Sequence, residues 1–404
     1  MVFDPDTVLT ASVAVTFALA AFSAVISWLQ RDSVPARATL AMFFAAFALS
    51  EIDTLAAAVT VDMAQTLRDG AEFIAFTANF CLMPLFLVYV RELAAPSGAA
   101  LNARRLAGHF GLPAVALFFG GVAMLLPAET RALWYSGAAA SGPMPGLAVL
   151  HYGFSVLTVL LLLQWALYVV WIARLQAQHI TRLKQHFAST EGLELRWVAV
   201  LAFAMGCYVL QSLAGELLIL LGADDPIGPV LDSFLVMLIV VTLALWGLRP
   251  SADLDRARLA IGDTAPAPGQ KYERSALGKE QANRIARKLI RAMQEDRLFR
   301  DPNLTLRVLA RHVGVSTNYA SQTLNQELDQ SFFEFVNGWR VQEAIPLVEA
   351  GTETVLSIAY EVGFNSRSSF YAAFKRNTGL TPSAYKSARS ATGSDPATGS
   401  PQTG

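Results

Sequence analysis

Two stretches in the C-terminal part of the chain share one layout: residues 309–324 read LARHVGVSTNYASQTL and residues 358–374 read IAYEVGFNSRSSFYAAF. The Val-Gly pair at 313–314 recurs at 362–363, which is 49 positions further along the chain. In each copy a short apolar periodic segment precedes the glycine, and a serine follows that can cap a second helix. The pattern predicts a helix-turn-helix written twice.

Each helix-turn-helix has an apolar face and a polar face. The residues expected in the two cores are Leu306, Leu309, Ala310, Val313, Val315, Ala320 and Leu324 in the first, and Val355, Ile358, Ala359, Val362, Phe364, Phe370 and Phe374 in the second. The opposite face of the first copy carries Asn318, Ser321, Gln322 and Asn325, whose amide and hydroxyl groups can hydrogen-bond base edges in a major groove. On the second copy the outward residues are Arg367, Ser368, Tyr371 and Lys375.

The second copy resembles the AraC/XylS family signature, and the resemblance rests on Ile358-Ala359-Tyr360-Glu361-Val362-Gly363-Phe364, Ser366, Ser369-Phe370, Phe374-Lys375, Gly379 and Thr381-Pro382. The first copy is similar to the family's more variable first helix-turn-helix, so the resemblance covers about residues 279–389. It implies two reading helices that enter adjacent major-groove segments of duplex DNA. It also makes RNA polymerase an expected partner and a homodimer a candidate assembly.

By position in the motif, the resemblance assigns base contacts to Asn318, Ser321, Gln322, Arg367 and Ser368, with Tyr371 beside them. Arg367 is the expected reader of guanine, because a guanidinium can bond O6 and N7 together.

Phosphate contacts, which position the protein without specifying sequence, are expected from Lys375 and Arg376. One departure from the family pattern is Pro346, which falls inside the helix expected to join the two copies. An interior proline costs about 3 kcal/mol or kinks a helix, so the angle between the two reading helices is left open.

The rest of the chain has the composition of a membrane protein. Overall 54% of residues are hydrophobic and 16% are charged, whereas a soluble domain carries about 25% charge. Apolar stretches long enough to cross a bilayer, about 20 residues each, occur at Val8–Leu29, Ala38–Val61, Phe73–Val90, Leu106–Leu126, Leu147–Ile172, Leu195–Leu221 and Ile227–Leu248. The sequence therefore predicts an all-α protein, a seven-helix transmembrane bundle followed by a cytoplasmic double helix-turn-helix domain.

The distribution of cations predicts the orientation. Alternate loops hold Arg31 and Arg37, then Arg91, Arg104 and Arg105, then Arg174, Arg182 and Lys184. By the positive-inside rule the N-terminus lies outside the inner membrane and everything after Arg249 is cytoplasmic. Asp4 and Asp6 stand where a signal peptide has a basic region, so the first span is expected to be retained. Residues 174–195 are expected to extend the fifth span as a helix whose basic side contacts anionic lipid or only sets topology.

Ionisable residues of the spans cluster in the outer half of the predicted bundle: Glu51, Asp53, Glu72, His151, Glu216 and Asp232. Acids without a cation in the spans favour a cationic ligand, a metal ion or a proton as the signal. The alternative is that several lie in the wet interfacial layer and that Glu51 is neutral or satisfied by Asn79 or Gln211. His179 and His186 are expected on a solvated face.

The predicted domains are a sensor domain over 1–249, a flexible linker over 250–278, a DNA-binding domain over 279–389 and a disordered tail over 390–404. We expect no catalytic residues and no cofactor, because no step of this function needs an enzyme active site. No metal site is expected either, since Cys81 and Cys207 lie in apolar runs without metal-ligand spacing. Two other classes stay open. One is a receptor or transporter whose C-terminal module binds protein, and the other is an intramembrane hydrolase that uses the outer-half acids.

Overall fold

The computed structural model describes residues 5–32, 36–59, 65–94, 107–135, 145–191, 193–221, 227–249 and 278–392. The predicted linker, apart from Gly278, and the predicted tail beyond Thr392 lie outside the described residues, as do Asp4, Arg104 and Arg105. Within these ranges every regular element is a helix, and β-type pairing is limited to an isolated antiparallel bridge between Phe187 and Thr305. The all-α fold class is confirmed.

The chain divides into two compact units. The first, here called the apolar unit, comprises Met1–Ala177 and Leu195–Ser251. The second, the polar unit, comprises Gln178–Glu194 and Ala252–Gly404. The domain boundaries drawn from the sequence did not assign residues 178–194 to the C-terminal domain.

The helices of the apolar unit are α1 (Pro5–Leu29), α2 (Ala36–Ser50), α3 (Ile52–Val59), α4 (Gln65–Ala94), α5 (Gly111–Met124), α6 (Ala128–Tyr135), α7 (Pro145–His186), α8 (Arg196–Leu220) and α9 (Gly228–Gly247). Among the described residues, α1, α4, α7, α8 and α9 are long and apolar enough to cross a membrane. Two other predicted spans coincide with the shorter apolar helices α2 and α5. The count of seven crossings stays a prediction.

Helix α4 is the most buried of the long apolar helices. It packs against α2, α3 and α5, while α1 packs against α2 and α9. Phenylalanines fill this core, and Phe43 lies with its ring centroid 5.9 Å from that of Phe44 and 5.8 Å from that of Phe86. Elsewhere on the unit, large apolar side chains are exposed, such as Phe22 (64%) and Phe203 (74%). Apolar exposure of this extent is typical of a surface covered by lipid or another apolar partner.

The helices of the polar unit, besides the end of α7, are α10 (Lys279–Gln294), α11 (Leu306–His312), α12 (Thr317–Glu327), α13 (Phe332–Ala350), α14 (Val355–Glu361), α15 (Arg367–Thr378) and α16 (Pro382–Thr392). Two cores hold them together, one around α10 to α12 and the other around α13 to α15. Every residue predicted for these cores is buried or packs against them. Periodicity therefore located both cores.

Helix α13 joins the two helix-turn-helices and runs without a break through Pro346. Pro346 is exposed, and so is Gln342 one turn earlier, whose carbonyl loses its intrahelical donor. Because this face is exposed, water can bond the Gln342 carbonyl in place of the missing N–H. The helix ends at Gly351, which takes the left-handed conformation with φ +63°.

Candidate nucleic-acid interface

The first helix-turn-helix bends at Gly314, where φ is +72° and a side chain would be strained. The Val315 N–H donates to the Ala310 carbonyl at 2.9 Å and closes the turn. Ser316 then caps α12, because its hydroxyl accepts from the Tyr319 N–H at 3.2 Å. Cap and turn together fix the direction in which α12 leaves the corner.

The second helix-turn-helix repeats this geometry. Gly363 has φ +96°, and the Phe364 N–H donates to the Ala359 carbonyl at 2.9 Å. Ser366 caps α15 and accepts from the Ser369 N–H at 3.2 Å. A Cβ at Gly363 would come within 2.7 Å of the Phe299 and Arg300 carbonyl oxygens. Glycine is therefore required there both for the backbone and for close packing between the two copies.

Arg340, on α13, connects the two copies and is fully buried. Its guanidinium donates to the carbonyls of Phe299 at 2.7 Å and Asp301 at 2.8 Å and to Asn337 Oδ1 at 3.1 Å. It also lies 5.4 Å from the ring centroid of Phe364. Burial lowers the pKa of Arg340 to about 10, which leaves it charged at neutral pH. No role for Arg340 was predicted from the sequence, although an arginine on the apolar face of a helix is a signal for a buried structural cation.

The predicted contact residues of α12 lie at the surface. Asn318 is exposed, and Ser321 and Gln322 are partly exposed. Gln322 Nε2 donates to Gln326 Oε1 at 2.9 Å, and Asn325 Nδ2 donates to Ser321 Oγ at 3.4 Å. These amides and hydroxyls form a row along one face that presents both donors and acceptors.

On α15, Arg367 and Ser368 are exposed at the first turn, while Lys375 and Arg376 are exposed at the last. Arg367 Nη2 donates to the Tyr371 hydroxyl at 3.0 Å and its guanidinium lies 4.9 Å from the centre of that ring. This hydrogen bond lowers the pKa of Tyr371. Tyr371 is half-buried against the second core and does not face fully outward. It therefore holds Arg367 in a defined position.

The segment 184–191, at and beyond the end of α7, packs into the polar unit. Ala188 is buried in the first core. Its N–H donates to the Leu304 carbonyl at 3.3 Å, and its carbonyl accepts from Asn337 Nδ2 at 3.1 Å. At the far end of the segment, Ser366 Oγ donates to Glu191 Oε1.

The solvated face predicted for the two histidines of α7 is wrong for His179. His179 is buried, and its Nε2 lies 3.1 Å from the Leu193 carbonyl. The chain turns back after His186, which is half-buried, and this turn covers that side of the helix. Lys184 remains closer to the surface, with its ammonium 5.8 Å from the ring centre of Phe333.

The apolar unit contains a cavity of about 610 Å³. Of the six predicted pocket residues, Asp53 and Glu72 are among the described side chains that line it. Glu51 interacts electrostatically with Asp53, and both Glu51 and Asp232 lie near Tyr208. His151 contacts Tyr152 instead, and the side chain of Glu216, on α8, lies outside the described residues.

The expectation that no cation accompanies these acids is wrong for this cavity. Arg68, Asp69 and Arg131 also line it. Arg131 is buried, pairs with Asp69 through Nε and donates to the Leu126 carbonyl through Nη1. The predicted spans leave Arg68 and Arg131 between helices, whereas the structure places them in α4 and α6. Within the described residues, no group of three or more His, Cys, Asp or Glu side chains is placed to hold a metal ion.

Comparisons with known proteins concern the polar unit. Residues 309–388 match the protein family described as "Helix-turn-helix domain". The chain is 28% identical over 86 residues to the "Melibiose operon regulatory protein" of Escherichia coli (strain K12), a match that covers 21% of this chain and 28% of that protein. It is 33% identical over 91 residues to the "Putative AraC-like transcription regulator" of Streptomyces lividans, covering 22% and 30%.

Among solved structures, the chain is similar to the C-terminal domain of AraT, a response regulator from Geobacillus stearothermophilus. The two are 31% identical, the match covers 26% of this chain and 88% of that one, and the TM-score is 0.24. The similarity to the two regulators above spans less than a third of their own length.

Proposed function

We propose that this chain, whose C-terminal residues form a helix-turn-helix domain of the AraC type, is a membrane-tethered transcription regulator that binds duplex DNA in a sequence-specific manner. The observation that carries the proposal is the pair of serine-capped helices α12 and α15. Each presents exposed polar or cationic side chains on one face, and both helices belong to the polar unit. Helices of this kind enter the major groove and read base edges there.

Membrane tethering is supported by the apolar unit. The five long apolar helices among its described residues, and its exposed phenylalanines, suit a lipid environment. Arginine lies over tryptophan at three helix ends: Arg31 at 4.5 Å from Trp28, Arg91 at 4.8 Å from Trp171, and Arg249 at 4.1 Å from Trp246. All of these ends belong to the predicted cytoplasmic side. Tryptophan is enriched at both membrane interfaces and arginine on the cytoplasmic side, so the arginines of these pairs favour an outside N-terminus and a cytoplasmic polar unit.

The apolar unit is the proposed sensor, and the cavity lined by Asp53 and Glu72 is the proposed signal site. Arg131 pairs with Asp69. The described lining therefore keeps the carboxylates of Asp53 and Glu72 beside the further guanidinium of Arg68, a net negative charge that favours a cationic ligand or a proton as the signal. A ligand can shift the balance between two states only by its differential affinity for them. Contacts with RNA polymerase and assembly into a homodimer belong to the same proposal.

DNA binding by the full-length chain in lipid nanodiscs tests the function. Duplexes are selected from a random pool, and the affinity for the selected sequence is measured at several salt concentrations. We expect saturable binding that weakens steeply with salt, because lysine and arginine release counterions from the phosphates. Equal affinity for the selected duplex and for scrambled DNA would reject sequence-specific reading. A protein-binding module would show no duplex binding at any salt concentration.

A further inference from the structure

We infer that residues 184–191 form an internal competitor of DNA, which docks on the polar unit and places the Glu191 carboxylate at the start of the second reading helix. The inference rests on the proposed function and concerns how DNA binding is controlled. Its basis is the position of Glu191, whose Oε1 accepts the hydrogen bond from Ser366, the N-cap of α15.

The start of α15 is the part of the helix that approaches DNA. Ser366 Oγ lies 2.9 Å from the hydroxyl of Ser368, an expected base contact, and Arg367 follows Ser366 directly. The N-terminal end of a helix carries partial positive charge and favours a phosphate or another anion. A carboxylate held at this end neutralises the partial positive charge that would otherwise attract a DNA phosphate. It also repels the phosphate backbone, which carries like charge.

Several contacts anchor the segment on the polar unit close to Glu191. Ala188 is buried in the first core and is bonded on both sides, by Leu304 and by Asn337. Phe187 pairs with Thr305 in an antiparallel bridge. The Lys184 ammonium and the Arg376 guanidinium both lie near the ring of Phe333, at 5.8 and 5.7 Å. The docked segment therefore contacts α15 at the Ser366 cap, whereas at the other end Lys184 shares only the ring of Phe333 with Arg376.

The segment is also placed to receive a signal. Residues 178–186 are the last part of α7, whose earlier residues belong to the apolar unit. Because the segment continues α7 directly, any rotation or displacement of α7 moves the segment. We expect two states, one with the segment docked and Glu191 at Ser366, and the other with the segment released and α15 open to DNA.

Glu191→Gln tests the charge. The variant keeps an acceptor for Ser366 and removes the negative charge at a half-buried surface position, so the fold should be unaffected. We expect DNA to bind about threefold or more tightly, because the apparent dissociation constant falls as the open fraction rises. The matched control is Glu194→Gln, which removes an identical charge three residues away, where the carboxylate bonds Thr190 instead. The control should bind like the unchanged chain.

Ala188→Asp tests the docking, since a charge in the buried position of Ala188 should expel the segment. Binding to the selected duplex should tighten as in Glu191→Gln. Hydrogen exchange on the full-length unchanged chain supplies the second readout, with amides 186–191 expected to lose protection when DNA saturates the protein. Unchanged protection, or equal affinity of Glu191→Gln and Glu194→Gln, would overturn the inference while leaving DNA binding intact. Absence of duplex binding in every variant would instead reject the proposed function.

Discussion

Arg367 and Lys375 lie on the same helix and are expected to make different contacts with DNA, the first with a base and the second with phosphate. Arg367 is fixed by its hydrogen bond and ring contact with Tyr371 at the start of α15, whereas Lys375 is exposed in the last turn. A guanidinium held in one orientation can bond a single guanine with two parallel hydrogen bonds. A flexible ammonium acts as a point charge toward phosphate.

Arg367→Ala should therefore cost about 1–3 kcal/mol at one base pair of the selected duplex and relax specificity there. Lys375→Ala should weaken specific and random DNA alike and reduce the slope of log affinity against log salt by about one unit. The measurement is a titration of each variant with every single-base substitution of the duplex. If both variants instead lose affinity equally for all sequences, Arg367 is not a base reader.

At the scale of elements, side-chain caps fix the residue at which each of five helices of the polar unit begins, including both reading helices. Thr305, Ser316, Ser331, Thr354 and Ser366 each accept a backbone hydrogen bond at the start of a helix of the polar unit. The start of α13 is the most complete, because the Glu334 carboxylate also accepts from Ser331. These bonds from the Ser331 N–H and hydroxyl lower the pKa of Glu334 below its ordinary value of 4.5.

This shift predicts a dependence of stability on pH. Because the folded-state pKa is lowered, the stabilisation is present above pH 4.5 and is lost as pH falls through the folded-state value. Glu334→Gln should lower stability at neutral pH by at most about 1 kcal/mol, since the side chain is exposed, and should flatten the profile below pH 4.5. Hydrogen exchange of α13 amides in the full-length chain measures this. Glu280→Gln, an exposed change on α10, should keep the unchanged chain's profile, and an equal flattening there would contradict the assignment.

Most helices of the polar unit could be predicted because their signals are local. Apolar residues at helical spacing located the two cores, and Ser316 and Ser366 marked the starts of the reading helices. The docking of Ala188 on Asn337 could not be predicted, since the two residues are far apart in sequence and nothing local marks either one. Arg131 and Asp69 were missed for a related reason. Both lie between the predicted spans, where a charge is ordinary, and only the structure shows that they pair and are buried.

At the scale of the whole molecule, the proposal requires the polar unit to reach DNA. A reporter that is active only in the cytoplasm should be active when fused after Arg249 and silent when fused after residue 138. The physical reason is the set of cations and Trp–Arg pairs on the ends assigned to the cytoplasm. A second reporter, active only outside the cytoplasm, serves as the control and should give the opposite result. Activity reversed between the two fusions would place the helix-turn-helices on the wrong side of the membrane.

The buried guanidinium of Arg340 and the glycine contact at Gly363 have a consequence for the target DNA. Arg340 and Gly363 pack the second helix-turn-helix against residues 299–301 at the first core, so we expect the two reading helices to keep a fixed separation. One base pair inserted between the two contacted segments turns one segment by about 34° relative to the other, since B-DNA repeats every 10–10.5 base pairs. We expect this insertion to abolish specific binding. An insertion of a full turn restores the rotational phase but lengthens the distance between the two segments, so we expect it to abolish specific binding as well. Under the proposed function, the number of base pairs between the two contacted segments is therefore expected to be invariant among the DNA sites that this chain binds.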